Sequence, residues 1–386
     1  MQQATKPKLY FPGLNGLRFF AAILVLFFHA EFVLPPVVSN RFLQILCGNG
    51  NNSVTFFFVL SGFLITYLLC VESENTPNHA VNTWHFYKKR IIRIWPLYYG
   101  LLLLSVLAQV FFYPDFVVQR VDNEALMFIA ALFPQIAYAY FNLGNLLHFW
   151  SIGVEEQFYL LYPLVVNAAK SNLEKTLWAV IVLKALFYWV FSMQFVGVLS
   201  PKIVEIINLT GFEKMAWGGI AALWIFKKRF VPNQSVLFSK AAQLFYFMIL
   251  FYYLSTNYYA MPMSAEKQWY ALIFRDLFGF YLIVPLLFLY LILNISLNQR
   301  SFLNLEHPMF RYLGDISYGI YMFHMVGIAV GHWVATRLPQ FTTDAWSYRL
   351  VFYIAAVIGT IGMAAFSFEF YEKQFLRFRP TTKVSK

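Results

Sequence analysis

Four groups of residues in this sequence are of types that do chemistry, yet they lie in or beside long apolar runs. The first is Arg18 and His29 in LNGLRFFAAILVLFFHAEFVL, residues 14–34. On a helix turning about 100° per residue, the step from 18 to 29 returns to within roughly 20° of its starting direction. Both side chains then share a face, about 16 Å apart along the axis. If Arg18 marks one membrane surface, His29 lies near the bilayer midplane, where an ionisable side chain is costly and signals function. A neutral imidazole at that depth suits proton transfer. The plain structural reading is a histidine hydrogen-bonded to a neighbouring helix.

The second group is in KKRIIRIWPLYYG, residues 88–100. Arg90 and Arg93 are at i, i+3 and share a face. Guanidinium groups bind phosphate oxygens bidentately. Lys88, Lys89, Arg90 and Arg93, together with Arg18, exceed what membrane orientation needs, so this cluster predicts a phosphate site. Pro96 marks a helix start or a kink.

The third group is Glu155 and Glu156 in LLHFWSIGVEEQFYLLYPLVV, residues 146–166. Two adjacent acids facing lipid would be prohibitively costly, so at least one faces the bundle interior, near the depth of His29. His148 and Trp150 stand at the outer mouth of the same run. The fourth group is Ser317, Tyr321 and His324, a polar stripe at i, i+4 and i+7 that must face other helices. His324 reads as structural rather than catalytic. Elsewhere, Lys184 reads as snorkelling or paired. Ser61-Gly62 reads equally as a packing notch or as a direct participant, and Gly218-Gly219 most simply as packing.

The elements that position these groups are apolar runs near 14–34, 51–71, 95–113, 123–140, 147–166, 176–198, 203–226, 236–255, 270–293, 312–334 and 350–369. The chain is 60% hydrophobic and 12% charged, against about 25% charged for a soluble domain, so it reads as an all-α polytopic membrane bundle. The net charge of +11 then marks cytoplasmic loops, not nucleic-acid binding. The first run has no small-residue cleavage site after it and reads as an uncleaved anchor. Cys47 and Cys70 flank the second run and cannot pair across it, and no metal-ligand spacing is present.

Charge sets the span count. Lys6 and Lys8 place the N-terminus inside. The cationic clusters at 88–93, 170–175, 227–240, 300–311 and 373–386 all fall inside if ten runs cross, and the last four fall outside if eleven do. The run at 123–140 is short, carries Asp122 and Glu124 at its start and contains Pro134. It is predicted to be interfacial or re-entrant. Ten transmembrane helices with both termini cytoplasmic follow. Residues 1–386 read as a single membrane domain with a short basic tail at 370–386.

These residues together resemble the integral-membrane acyltransferase family 3. The resemblance rests on GLNGLRFFAAILVLFFHA, FFFVLSGFLI, the Arg90, Arg93 and Pro96 element, HFWSIGVEEQFYLLYP and LGDISYGIYMFH, in family order along almost the whole chain. It implies an O-acyltransferase of a bacterial inner membrane that moves an acyl group, usually acetyl from cytoplasmic acetyl-coenzyme A, to a hydroxyl of a glycan or lipid-linked saccharide. It also implies that His29 is catalytic and that Arg18, Arg90 and Arg93 bind the acyl-coenzyme A donor. Glu155 or Glu156 would orient the imidazole, as carboxylates do in hydrolytic triads. His148, Trp150, Ser151, Tyr321 and His324 would support the acceptor side. No bound cofactor is implied, and the partners are donor, acceptor and membrane lipids. His29 could act as a general base or as a covalent acyl carrier. Some family members carry an additional extracytoplasmic hydrolase-like domain; none is expected in this sequence, which argues against a peptidoglycan acceptor and a two-domain relay. Two alternatives remain at this level. One is a proton-coupled secondary transporter using the intramembrane His and Glu residues, although no repeated halves are visible. The other is a relative that only binds its acceptor.

Overall fold

The computed structural model describes residues 10–34, 47–76, 78–112, 120–192, 199–255, 282–338 and 345–380. All regular structure among them is helical. Three helices are long and apolar enough to cross a membrane: Gly50–Glu74, Thr83–Phe111 and Trp346–Leu376. A fourth is added if Pro308–Asp315 and Ser317–Thr336 count as one broken span. The chain is an integral membrane protein with several apolar helices.

Several other runs are shorter or divided among the described residues. The first forms α1, Leu14–Ala30, and ends one residue after His29, so a residue expected in mid-span occupies a final turn. The run at 203–226 is split at Thr210-Gly211 into two helices. Gly211 is pressed against the Phe58 ring with no room for a Cβ. Lys6, Lys8, Lys383, Lys386 and residues 270–281 of one expected span lie outside the described residues.

The chain divides into two compact units, one comprising residues 1–28, 35–81 and 165–315 and the other residues 29–34, 82–164 and 316–386. The first unit holds most of α1, α2 (Gly50–Glu74), α7 (Leu173–Phe187), α8 (Pro201–Leu209), α9 (Phe212–Phe226), α10 (Lys240–Ser255), α11 (Val284–Leu297) and α12 (Pro308–Asp315). Its core joins Leu17 and Ala21 of α1 to Val59 and Phe63 of α2 and Ile292 of α11. Gly62 and Gly218 bring α2 and α9 into backbone contact. A Cβ on Gly62 would meet the Met215 carbonyl, and one on Gly218 the Val59 carbonyl and Phe63 amide. Small residues of this kind replace hydrophobic drive where lipid is as apolar as leucine. Lys184 donates to the Ile207 carbonyl and, at 3.3 Å, to the Thr210 hydroxyl, so it is paired rather than snorkelling. The start of α1 is tied down by Glu306, which accepts from the Gly13 amide, and by Asn15, which donates to Asp315 at 2.9 Å.

The second unit holds α3 (Thr83–Phe112), α4 (Asn123–Ala130), α5 (Pro134–Tyr140), most of α6 (Phe149–Ala169), α13 (Ser317–Thr336), α14 (Ala345–Ser367) and α15 (Lys373–Leu376). Its most extensive packing is between α13 and α14. Gly327 and Gly331 of α13 face Ala356 and Thr360 of α14 with no space for a side chain. Pro96 lies inside α3, which starts at Thr83, so it is not a helix start; Arg90 and Arg93 stand on helix rather than loop.

The stretch 123–140 forms two helices of eight and seven residues, each too short to cross. Pro134 begins the second, where its missing N–H is no loss. The carbonyls ending the first are met by tyrosines of α3: Tyr98 donates to Ile129 at 2.8 Å and Tyr99 to Ala130 at 3.0 Å. At the break, Leu132 has φ of 65°, and its carbonyl accepts from Gln157 of α6 at 2.7 Å.

We expect Gly218→Val to destabilise the α2–α9 contact by about 1–3 kcal/mol, the usual range for overpacking. Gly362 has nothing within 4 Å of an added Cβ, so Gly362→Ala serves as the tolerated control. Equal thermal midpoints for the two detergent-solubilised variants would contradict the packing account.

Candidate active site

The second unit gathers most of the residues singled out by type and spacing. His29, in the last turn of α1, lies against His324 of α13, with Nδ1 3.2 Å from the His324 Nε2. The next residue pair fixes that helix end. Glu31 accepts from the buried Arg349 at 2.8 Å and from the Tyr353 hydroxyl, both on α14. Sequence reasoning missed these three. The available signals were an acid two residues after His29 and an arginine at the edge of an apolar run.

His324 is fully buried, and its ring also meets His148, with centroids 4.6 Å apart. His148 precedes α6 and is itself buried. Neither of its ring nitrogens has a hydrogen-bond partner among the described residues. The Met322 backbone approaches it without hydrogen-bond geometry. Tyr321 links the same elements: its hydroxyl is 2.6 Å from that of Ser151 and donates to the His148 carbonyl at 3.2 Å. The expected stripe on α13 therefore faces a histidine cluster, and the His324 ring stands in direct contact with His29. Trp150 turns instead toward Tyr138, ring to ring at 6.2 Å.

The two acids of α6 diverge. Glu156 is buried and accepts from the Trp95 indole at 2.7 Å, so its hydrogen bond goes to α3 and not to the imidazole of His29. Its other oxygen has no partner among the described residues. Glu155 is one helical turn beyond Ser151, accepts from Tyr159 at 3.3 Å and is close enough to Tyr321 to interact electrostatically. The rest of the motif is also accounted for. Gly153 is packed on Pro134, and Gln157 closes the break between α4 and α5.

Arg90 and Arg93 stand on one face of α3. The Arg90 guanidinium lies over Tyr159 at 5.1 Å and Phe86 at 5.4 Å, and its buried Nε has no hydrogen-bond partner among the described residues. Arg93 lies over Phe368 at 5.7 Å and 4.0 Å from Glu372. Arg379, just beyond α15, is near enough to feel both charges. Sequence reasoning counted it only as a topology signal. Three guanidinium groups, set against Glu372 beside Arg93 and Glu156 within electrostatic reach of Arg90, are suited to a polyanion. Arg18 is half-buried on α1, in the first unit.

A family model described as an acyltransferase domain matches residues 11–367. The peptidoglycan O-acetyltransferase OatA of Listeria monocytogenes is 28% identical over 96% of this chain and 57% of its own length. The O-acetyltransferase OatA of Staphylococcus aureus (strain NCTC 8325 / PS 47) is 35% identical over 41% of this chain and 25% of its own. An uncharacterized protein of Haemophilus influenzae is 30% identical over 44% of this chain and 73% of its own. The chain thus spans between a quarter and just over half the length of the two named relatives. No solved structure matches.

Arg349→Leu should cost about 3 kcal/mol, the low end for removing one partner of a buried pair, because Glu31 keeps some contact with solvent. Unfolding of the purified protein followed by intrinsic fluorescence measures this. A change below about 1 kcal/mol would class the pair with surface salt bridges.

Proposed function

The chain belongs to integral-membrane acyltransferase family 3, and we propose that it is an O-acetyltransferase that moves acetyl from acetyl-coenzyme A to a glycan hydroxyl. The observation that carries this reading is the part-buried contact between His29 and the fully buried His324 in a chain of that family. A sugar hydroxyl has a pKa far above 7 and needs a base in order to attack a thioester. In the proposed step, His29 takes the hydroxyl proton as the oxygen bonds to the acyl carbon. The carbon–sulfur bond then breaks, and the departing thiolate takes the proton from the imidazolium and leaves as free thiol. The ester product carries the acyl group, and His29 returns to its neutral form.

Arg90, Arg93 and Arg379 are proposed to hold the phosphates of the donor. Arg18 keeps the same role on the strength of the family resemblance. Ser151, Tyr321 and His148 are assigned to the acceptor side. The names of the two relatives support acetyl as the acyl group, and the Listeria name supports a cell-envelope glycan as acceptor.

Purified protein in lipid nanodiscs should release free thiol from acetyl-coenzyme A in the presence of a glycan acceptor. His29→Gln should lower that rate by about 10²–10⁴-fold, the range supplied by general acid–base catalysis, while donor binding persists. Arg90→Ala and Arg93→Ala should instead raise the donor KM by about 10- to 150-fold, equivalent to a lost charge-assisted contact of about 1.5–3 kcal/mol. Near-parental turnover of His29→Gln would remove the base from the scheme. A transporter would release no thiol.

The proposed topology has ten spans with both termini in the cytoplasm of a bacterial inner membrane and the 123–140 stretch non-crossing. This count supports a cytoplasmic donor, because it places every cationic cluster on one side. Single cysteines introduced as Phe230→Cys and Pro380→Cys should resist membrane-impermeant labelling in intact cells. Labelling of either from outside would reverse the donor side.

A further inference from the structure

The two ring nitrogens of the fully buried His324 have different partners. Nδ1 is 2.5 Å from the carbonyl oxygen of Tyr321, one turn back on α13. Nε2 is 3.2 Å from Nδ1 of His29. A carbonyl oxygen has lone pairs and no hydrogen, so Nδ1 of His324 carries the proton in the first contact. A neutral imidazole has one N–H, so Nε2 of His324 offers a lone pair to the second. His29 must then donate from its own Nδ1, and its lone pair falls on Nε2. His148 does not compete, since it meets His324 ring to ring at 4.6 Å and not through its nitrogens.

We propose that His324 is a positioning residue that holds His29 in its Nδ1–H tautomer and so makes Nε2 the basic atom. Its catalytic consequence rests on the acyl-transfer reading; the tautomer itself does not. The arrangement fills the place that a carboxylate holds in hydrolytic triads, where the orienting group also fixes tautomer and ring direction. The two acids expected to orient the imidazole have other partners, Glu156 the Trp95 indole and Glu155 the Tyr159 hydroxyl, and Glu31 accepts from Arg349 and Tyr353. During transfer, Nε2 of His29 takes the proton of the attacking hydroxyl and later gives it to the leaving sulfur. The Nδ1 proton stays in place throughout, donated to His324. A backbone carbonyl anchors the relay at its far end, so no buried carboxylate is needed to set it.

The test is nitrogen NMR of 15N-histidine-labelled protein in nanodiscs, recorded above the imidazole titration range, with His29→Gln identifying the His29 signals. The parental protein should show a protonated Nδ1 and an unprotonated Nε2 on His29. In His324→Phe the signals should move toward the Nε2–H form that free imidazole side chains favour. In His324→Gln, whose amide oxygen can accept the same proton, the Nδ1–H form should persist. A parental His29 protonated on Nε2, or a tautomer unchanged in His324→Phe, overturns the proposal. If His324→Phe does not fold, the parental spectrum decides alone. In the thiol-release assay, His324→Phe should lower kcat by about 10²-fold or more at an unchanged donor KM, and His324→Gln should recover most of it. A parental enzyme that releases no thiol overturns the acyl-transfer reading and leaves the tautomer assignment to the spectrum.

Discussion

An apolar chain has few places to hide a polar group, and that constraint governs both units of this protein. Within a membrane, an unsatisfied donor or acceptor costs several kcal/mol, so each must find a partner inside the fold. The polar side chains accordingly serve as ties between elements distant in sequence. Asn15 holds Asp315, Lys184 holds Ile207 and Thr210, Trp95 holds Glu156, and Arg349 holds Glu31. His324 obeys the same rule. It uses both nitrogens, one on backbone and one on His29. The exceptions stand out for that reason. Among them, within the described residues, both nitrogens of His148, one oxygen of Glu156 and Nε of Arg90 lie in the unit that holds His29, and both carboxylate oxygens of Glu213 lie in the other.

Close approach of helix backbones is carried by small residues. Gly62 and Gly218 bring α2 to α9, and Gly327 and Gly331 bring α13 to α14. Because α13 carries Tyr321 and His324, its seating on α14 sets where the histidine partner stands. α14 also carries Arg349 and Tyr353, which hold Glu31 beside His29. Both members of the histidine pair are therefore referenced to one helix.

Helical periodicity made the faces legible in the sequence but not the partners. The order and spacing of the motifs identified the family, and the family match over residues 11–367 bears that out. The stripe of Ser317, Tyr321 and His324 was visible, whereas its contact with a histidine 295 positions away was not. Likewise the adjacency of Glu155 and Glu156 leaves open which of them faces the interior, because side chains one residue apart on a helix point about 100° apart and reach different neighbours. Helix ends were the weakest reading. Prolines at 35 and 36 signal that the first run must stop, but not that α1 stops at Ala30. The third apolar run begins near 95, where hydropathy rises, yet α3 extends back to Thr83 and carries Phe86 beneath the Arg90 guanidinium.

The last long helix does not keep one azimuth. Between α14 and α15, residues Phe368–Glu372 form a π-helical turn. One additional residue per turn rotates everything beyond it by about 100° relative to an uninterrupted α-helix. Ala356 and Thr360, before the turn, face α13. Tyr371 and Glu372, at its end, face α3, where they meet the Pro96 carbonyl at 3.1 Å and Arg93 at 4.0 Å. The extra residue works as a gear between two interfaces. It lets a single rigid rod seat the histidine helix with one side and brace the arginine helix with another, so the spacing between those two chemistries is set by the phase of one helix.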